Sequence, residues 1–103
     1  MGFAEASKVP DGIDSGAIRG KQYQIACNAW FTSTGTPIPL SFKFEGDDGE
    51  IIKVKQLDIQ YTEDKNYCGI PSKEYGCRAV IGGLTREFRL IFYCEACKWV
   101  MLV

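Results

Sequence analysis

Phe88-Arg89-Leu90-Ile91-Phe92-Tyr93-Cys94-Glu95-Ala96-Cys97-Lys98-Trp99-Val100-Met101-Leu102-Val103 decides the fold. It consists of two runs rich in aromatic and β-branched residues, Phe88 to Tyr93 and Lys98 to Val103, on either side of a CxxC. Such residues favour the pleated, half-buried surface of a strand. Taking Glu95-Ala96 as a two-residue turn sets Cys94 opposite Cys97, Phe92 opposite Trp99, Leu90 opposite Met101 and Phe88 opposite Val103. Residues directly opposite must share a face, so one side of this hairpin is continuously apolar.

Working outward, Gly82-Gly83 is a second two-residue turn, which places Ile81 opposite Leu84, Cys77 opposite Phe88 and Tyr75 opposite Leu90. A third turn, Asp47-Asp48-Gly49, works as a three-residue loop with glycine in the left-handed position, and it matches Phe44 with Ile52 and Phe42 with Val54. Apolar positions then change from Ile52 and Val54 to Leu57, Ile59 and Tyr61, which calls for a bulge near Lys55-Gln56. A bulge there bends the sheet.

Six strands are expected, at about Gln22 to Phe31, Pro39 to Glu45, Glu50 to Tyr61, Glu74 to Ile81, Leu84 to Tyr93 and Lys98 to Leu102. No stretch keeps an apolar stripe at helical spacing with caps. The expectation is an all-β domain of mostly antiparallel strands, a strongly bent sheet or a small SH3-like or OB-like barrel with little helix. Residues 21–103 form this domain. Residues 1–20, broken by Pro10, Gly12, Gly16 and Gly20, read as an irregular N-terminal arm.

The 103 residues are 46% apolar and 24% charged, ordinary values for a globular domain with one modest core. A formal charge of -1 offers no general attraction to nucleic acid or to an anionic membrane. The first residues lack the apolar run of a signal peptide, and five cysteines cannot all be paired within one chain. Both point to a reducing, cytoplasmic location.

Histidine is absent. That removes the usual general base and the commonest non-thiolate zinc ligand, so no catalytic constellation is recognisable. A non-enzymatic binding or accessory module is therefore expected. Its surface would be the second face of the last hairpin, where Arg89, Ile91 and Tyr93 lie against Lys98, Val100 and Leu102, more aliphatic than a solvated face requires. Such a face is covered by the rest of the chain, a homodimer mate or a protein partner. The long connection Thr62 to Lys73, with Tyr67 and Ile70, is a second candidate surface.

The thiols give a competing reading. Cys94 and Cys97 have the spacing of a zinc knuckle, but Cys77 sits opposite Phe88, six residues from Cys94 along the strand and roughly 20 Å away. A zinc site would have to draw on Cys68, Cys94, Cys97 and Cys27. Thiol-redox chemistry at Cys94 and Cys97 would lack the helix N-terminus that normally activates a CxxC, and Lys98 is its only basic neighbour. The acidic turn Glu45, Asp47, Asp48 and Glu50 is explained as a solvated hairpin end. A third reading, a single-stranded nucleic-acid module, would use Trp30 with Lys43, Lys53, Lys55, Arg78 and Arg89. Acidic neighbours such as Glu45, Asp58 and Glu87 dilute that field.

Overall fold

The computed structural model describes residues 21–103, and the proposed N-terminal arm lies outside the described residues. Seven antiparallel strands form one strongly curled sheet: β1 (Gln22–Phe31), β2 (Pro37–Glu45), β3 (Ile51–Val54), β4 (Asp58–Tyr67), β5 (Ile70–Ile81), β6 (Leu84–Tyr93) and β7 (Lys98–Leu102). Their order across the sheet is β3-β2-β1-β7-β6-β5-β4. The first and last strands pair in the middle, with Tyr23 opposite Met101 and Ile25 opposite Trp99.

Turn chemistry fixes the hairpins. Gly49 has φ +88° after a tight turn closed by Gly49 N–H donating to Gly46 O, as expected for the three-residue loop, and Phe42 and Phe44 face Val54 and Ile52. The β1–β2 loop repeats the device, with Gly35 at φ +88° and its N–H donating to Thr32 O. Gly82 and Gly83 both have positive φ, and the β5–β6 register follows the pairing expected from that turn.

Three expectations are corrected. The strand foreseen over Glu50 to Tyr61 is two strands, because the chain leaves the sheet after Val54 and rejoins it at Asp58 on the opposite edge. The shift in apolar parity that suggested a bulge is the signature of this crossing. A true bulge follows at Gln60, between the pairs Ile59–Cys77 and Tyr61–Gly76, and it moves Tyr61 to the outer face.

The connection Thr62 to Lys73 is a hairpin rather than a loop, turning at Cys68-Gly69 with both residues at positive φ. Ser72 is buried where β5 meets β6, but Thr62 to Asn66 are all exposed, and charged rungs such as Lys73–Asp64 at 2.6 Å replace apolar alternation. The last turn spans four residues rather than two. Tyr93 pairs with Lys98, Cys97 N–H donates to Tyr93 O at 2.8 Å, and only Cys97 takes a left-handed φ, 55°. A two-residue turn would have put that burden on Glu95 or Ala96, neither of which favours positive φ.

The curl follows from contacts made across the inside of the sheet. β2 and β6 are three strands apart, roughly 14 Å on a flat sheet. Yet the Phe42 and Phe88 rings meet edge to face at 5.6 Å. Tyr75 of β5, 2% exposed, donates its hydroxyl hydrogen bond to the carbonyl of Pro37 on β2, four strands away. Trp99 packs against both Tyr75 and Phe92, and Leu90 and Met101 fill the space beneath.

A second cluster, Ile91, Val100 and Leu102 with Tyr93 packed against it, occupies the outer face of β6 and β7. No helix among the described residues is long and apolar enough to cross a membrane.

Candidate functional site

The outer face of β1, β2 and β3 is arranged in three rows. Trp30 lies opposite Ile38, Asn28 opposite Ser41, and Ala26 opposite Lys43. Lys43 in turn lies directly opposite Lys53 of the edge strand. Leu40 is the extra residue of a bulge between the pairs Asn28–Ser41 and Ala29–Pro39, so it too reaches the surface.

The inward partners explain why these side chains point out. Phe42, Phe44 and Val54 are claimed by the core, and alternation along each strand leaves Lys43 and Lys53 facing solvent.

Two concavities open on this surface and share Lys53 and Lys55. One, of about 220 Å³, lies over Ala26, Asn28, Ser41 and Lys43. The other, of about 970 Å³, follows the seam where the chain passes from one sheet edge to the other, between Leu40, Leu57 and Asp58 on one side and Arg78 and Val80 on the other. Together they make a groove bordered by Lys43, Lys53, Lys55 and Arg78.

Three of the groove's basic residues stand without a carboxylate partner. Lys21, Lys65, Lys73, Arg78 and Arg89 each lie within ion-pair distance of a carboxylate, of Asp47, Glu63, Asp64, Glu87 and Glu74 respectively. Among the described residues, Lys43, Lys53 and Lys55 pair with none, and neither do Arg86 and Lys98, but only the three lysines gather on one concave surface. Like charges placed directly opposite on neighbouring strands repel and weaken the sheet. Lysine on an edge strand guards against unwanted pairing, which accounts for Lys53. It does not account for Lys43 on interior strand β2, nor for Trp30 further along the same face with 69% of its surface exposed.

Ile91 and Leu102 are 0% and 1% exposed and Val100 is buried, so the aliphatic side of the last hairpin is interior. Arg89 on that face reaches Glu74 at 3.8 Å, and Tyr93 is half-buried, its hydroxyl pKa raised by that burial. Glu74, 4% exposed, accepts the Tyr61 hydroxyl hydrogen bond at 2.6 Å. Tyr67 is the last residue of β4 and pairs with Ile70, whose side chain is exposed at the base of the Cys68-Gly69 turn.

All five cysteines are free. Cys77 is in the core and Cys27 packs against it, and burial pushes both thiols up to about 12. Cys94 also packs against the core while its N–H donates to Pro71 O at 3.2 Å; Cys97 and Cys68 are exposed in separate turns. Among the described residues, no three Cys, Asp or Glu side chains converge where a metal ion would sit. Carboxylates of the acidic turn serve structure: Asp47 accepts from Lys21 and Tyr23, and Asp48 accepts from Glu50 N–H.

Sequence reasoning names Lys43, Lys53, Lys55 and Arg78 but not their gathering along one groove, with Trp30 further along the same outer face. The signal was present, because the register that matches Phe42 with Val54 also sets Lys43 against Lys53. Comparison with models of protein families, with curated proteins and with solved structures finds no match for this chain.

Proposed function

We propose that this protein is a non-enzymatic binding module whose working surface is the basic groove at the seam of the curled sheet, and that it takes an extended anionic partner there. The observation that carries this reading is the Lys43–Lys53 pair, two like charges set opposite each other without a carboxylate. A partner's anionic groups supply the missing counter-charges on binding. Lys55, also without a carboxylate, extends the positive field along the groove, while Arg78 at its far side is held by Glu87.

A curled sheet of this size is the scaffold of small SH3-like and OB-like barrels, which present binding surfaces on rigid strands. Five free cysteines support a cytoplasmic, reducing location. The chain carries a net charge of -1, so retention on immobilised heparin at neutral pH and low salt tests the local field rather than the global charge. The expected result is retention that is lost on raising salt and lost in a Lys43→Glu, Lys53→Glu double variant. Flow-through of the wild-type protein at low salt removes the reading.

A further inference from the structure

Resting on the groove reading, we infer that the anionic partner is a single-stranded nucleic acid, with Trp30 as its stacking platform. Three chemistries lie in sequence on one face. Trp30 supplies a flat, exposed indole, the Asn28–Ser41 rung supplies hydrogen-bonding side chains, and Lys43 and Lys53 supply positive charge. From Trp30 to the rung of Lys43 is four residues along β1, roughly 13 Å. Lys55 carries the path onward into the larger concavity.

A single strand binds to surfaces built in this way, because every base has a face to stack and every nucleotide a phosphate to neutralise. An acidic peptide would use the lysines equally well but has no use for an exposed indole on the same face. A duplex hides its bases from stacking, and the described residues form no helix to enter a groove. The choice therefore rests on Trp30. Ile38 and Leu40 flank it, giving the ribose and base edges an apolar border.

The test uses the full chain with three probes at low salt: a fluorescent oligothymidylate of about twelve nucleotides, within the range of small single-strand sites, the same length as duplex, and poly-glutamate. The single strand is expected to bind more tightly than either other probe and to quench tryptophan emission. Trp30→Ala is expected to weaken single-strand binding about tenfold or more and to remove the quench, since Trp99 is enclosed in the core. Lys43→Gln and Lys53→Gln are each expected to lower the slope of log affinity against log salt by about 0.7.

Equal affinity for poly-glutamate and oligonucleotide, unchanged by Trp30→Ala, overturns the nucleic-acid inference and leaves a general anionic groove. Tighter binding of the duplex also overturns it. Failure to bind any of the three overturns the groove reading itself. Trp30 is on the surface, so loss of fold does not confuse the result, and circular dichroism of each variant verifies this.

Discussion

A methyl group on Gly76 would stand 2.0 Å from Cε2 of Tyr61, so the Tyr61 ring occupies the space that any other residue's Cβ would fill. The bulge at Gln60 delivers the ring there, and the ring covers the glycine backbone in the manner of aromatic rescue. From this position the hydroxyl reaches Glu74 at 2.6 Å. Gly76→Ala must swing the ring outward and break that hydrogen bond, costing about 1–2 kcal/mol in urea unfolding. The penalty is expected to disappear in a Tyr61→Ala background, where no ring is in the way. Equal penalties in the two backgrounds would refute the coupling.

Tyr75 ties β5 to β2 across the inside of the curl. Removing its hydroxyl with Tyr75→Phe leaves the Pro37 carbonyl without this donor in the interior, at an expected cost of about 1–2 kcal/mol. Because the bond spans four strands, its loss should also loosen the seam. Amide exchange is expected to rise in β2 and β5 more than at the β1–β7 pairing. A uniform rise across all strands would mean that the bond adds stability without holding the curl.

How much of this was legible in sequence depended on the turn. Gly49 and Gly82-Gly83 announced hairpins because glycine at positive φ is the ordinary way to make them. Cys68-Gly69 did not, since a left-handed cysteine stands where asparagine or aspartate is usual and the strand leading into it, Thr62 to Asn66, is polar at every position. The jump from β3 to β4 was visible only as a parity change, and parity alone does not separate a bulge from a crossing between edges. Likewise Ile91, Val100 and Leu102 were evident as an excess of aliphatic residues, but burial is a property of what lies over them. The groove needed both ends of the sheet brought together by the curl, which no local pattern encodes.

Stability is expected to fall on the alkaline side. Burial pushes Cys77 from 9.0 to about 12, with Asp58 adding to it, and burial does the same to Cys27 with Cys77 adding. Tyr75 and Tyr61 rise from 10.0 to about 12, in each case chiefly by burial. These groups hold their protons more tightly folded than unfolded. Their contribution is therefore fully present below about pH 9 and is lost as pH rises toward about 12. The urea midpoint should be flat between about pH 7 and 8 and clearly lower at about pH 10.5, with part of the drop absent in Cys77→Ala. A midpoint unchanged at the higher pH would contradict the assignment.

Cys68, with φ 54° as the first residue of its two-residue turn, adopts a conformation that suits asparagine better. Cys68→Asn is expected to stabilise the protein by about 0.5–1 kcal/mol, because Asn-Gly fits a turn with both central residues left-handed. It should also remove one of two fast-reacting thiols, the other being Cys97, as both are exposed while Cys77 is buried. Rapid thiol titration checks the count. A fall in stability would show that the cysteine side chain makes a contact the turn requires.

Lys53 opposite Lys43 predicts a conflict between stability and binding. Replacing Lys53 by glutamate turns a repulsive cross-strand pair into an attractive one, which should raise stability by a few tenths of a kcal/mol at low ionic strength. The gain should shrink as salt rises toward about 1 M, where the screening length falls to about 3 Å. The same substitution places a negative charge between Lys43 and Lys55 and should abolish retention on heparin. A pair kept only to guard an edge strand would show no such opposition, because glutamate guards an edge as well as lysine does. A stabilised Lys53→Glu variant that still binds would therefore reduce the pair to edge protection.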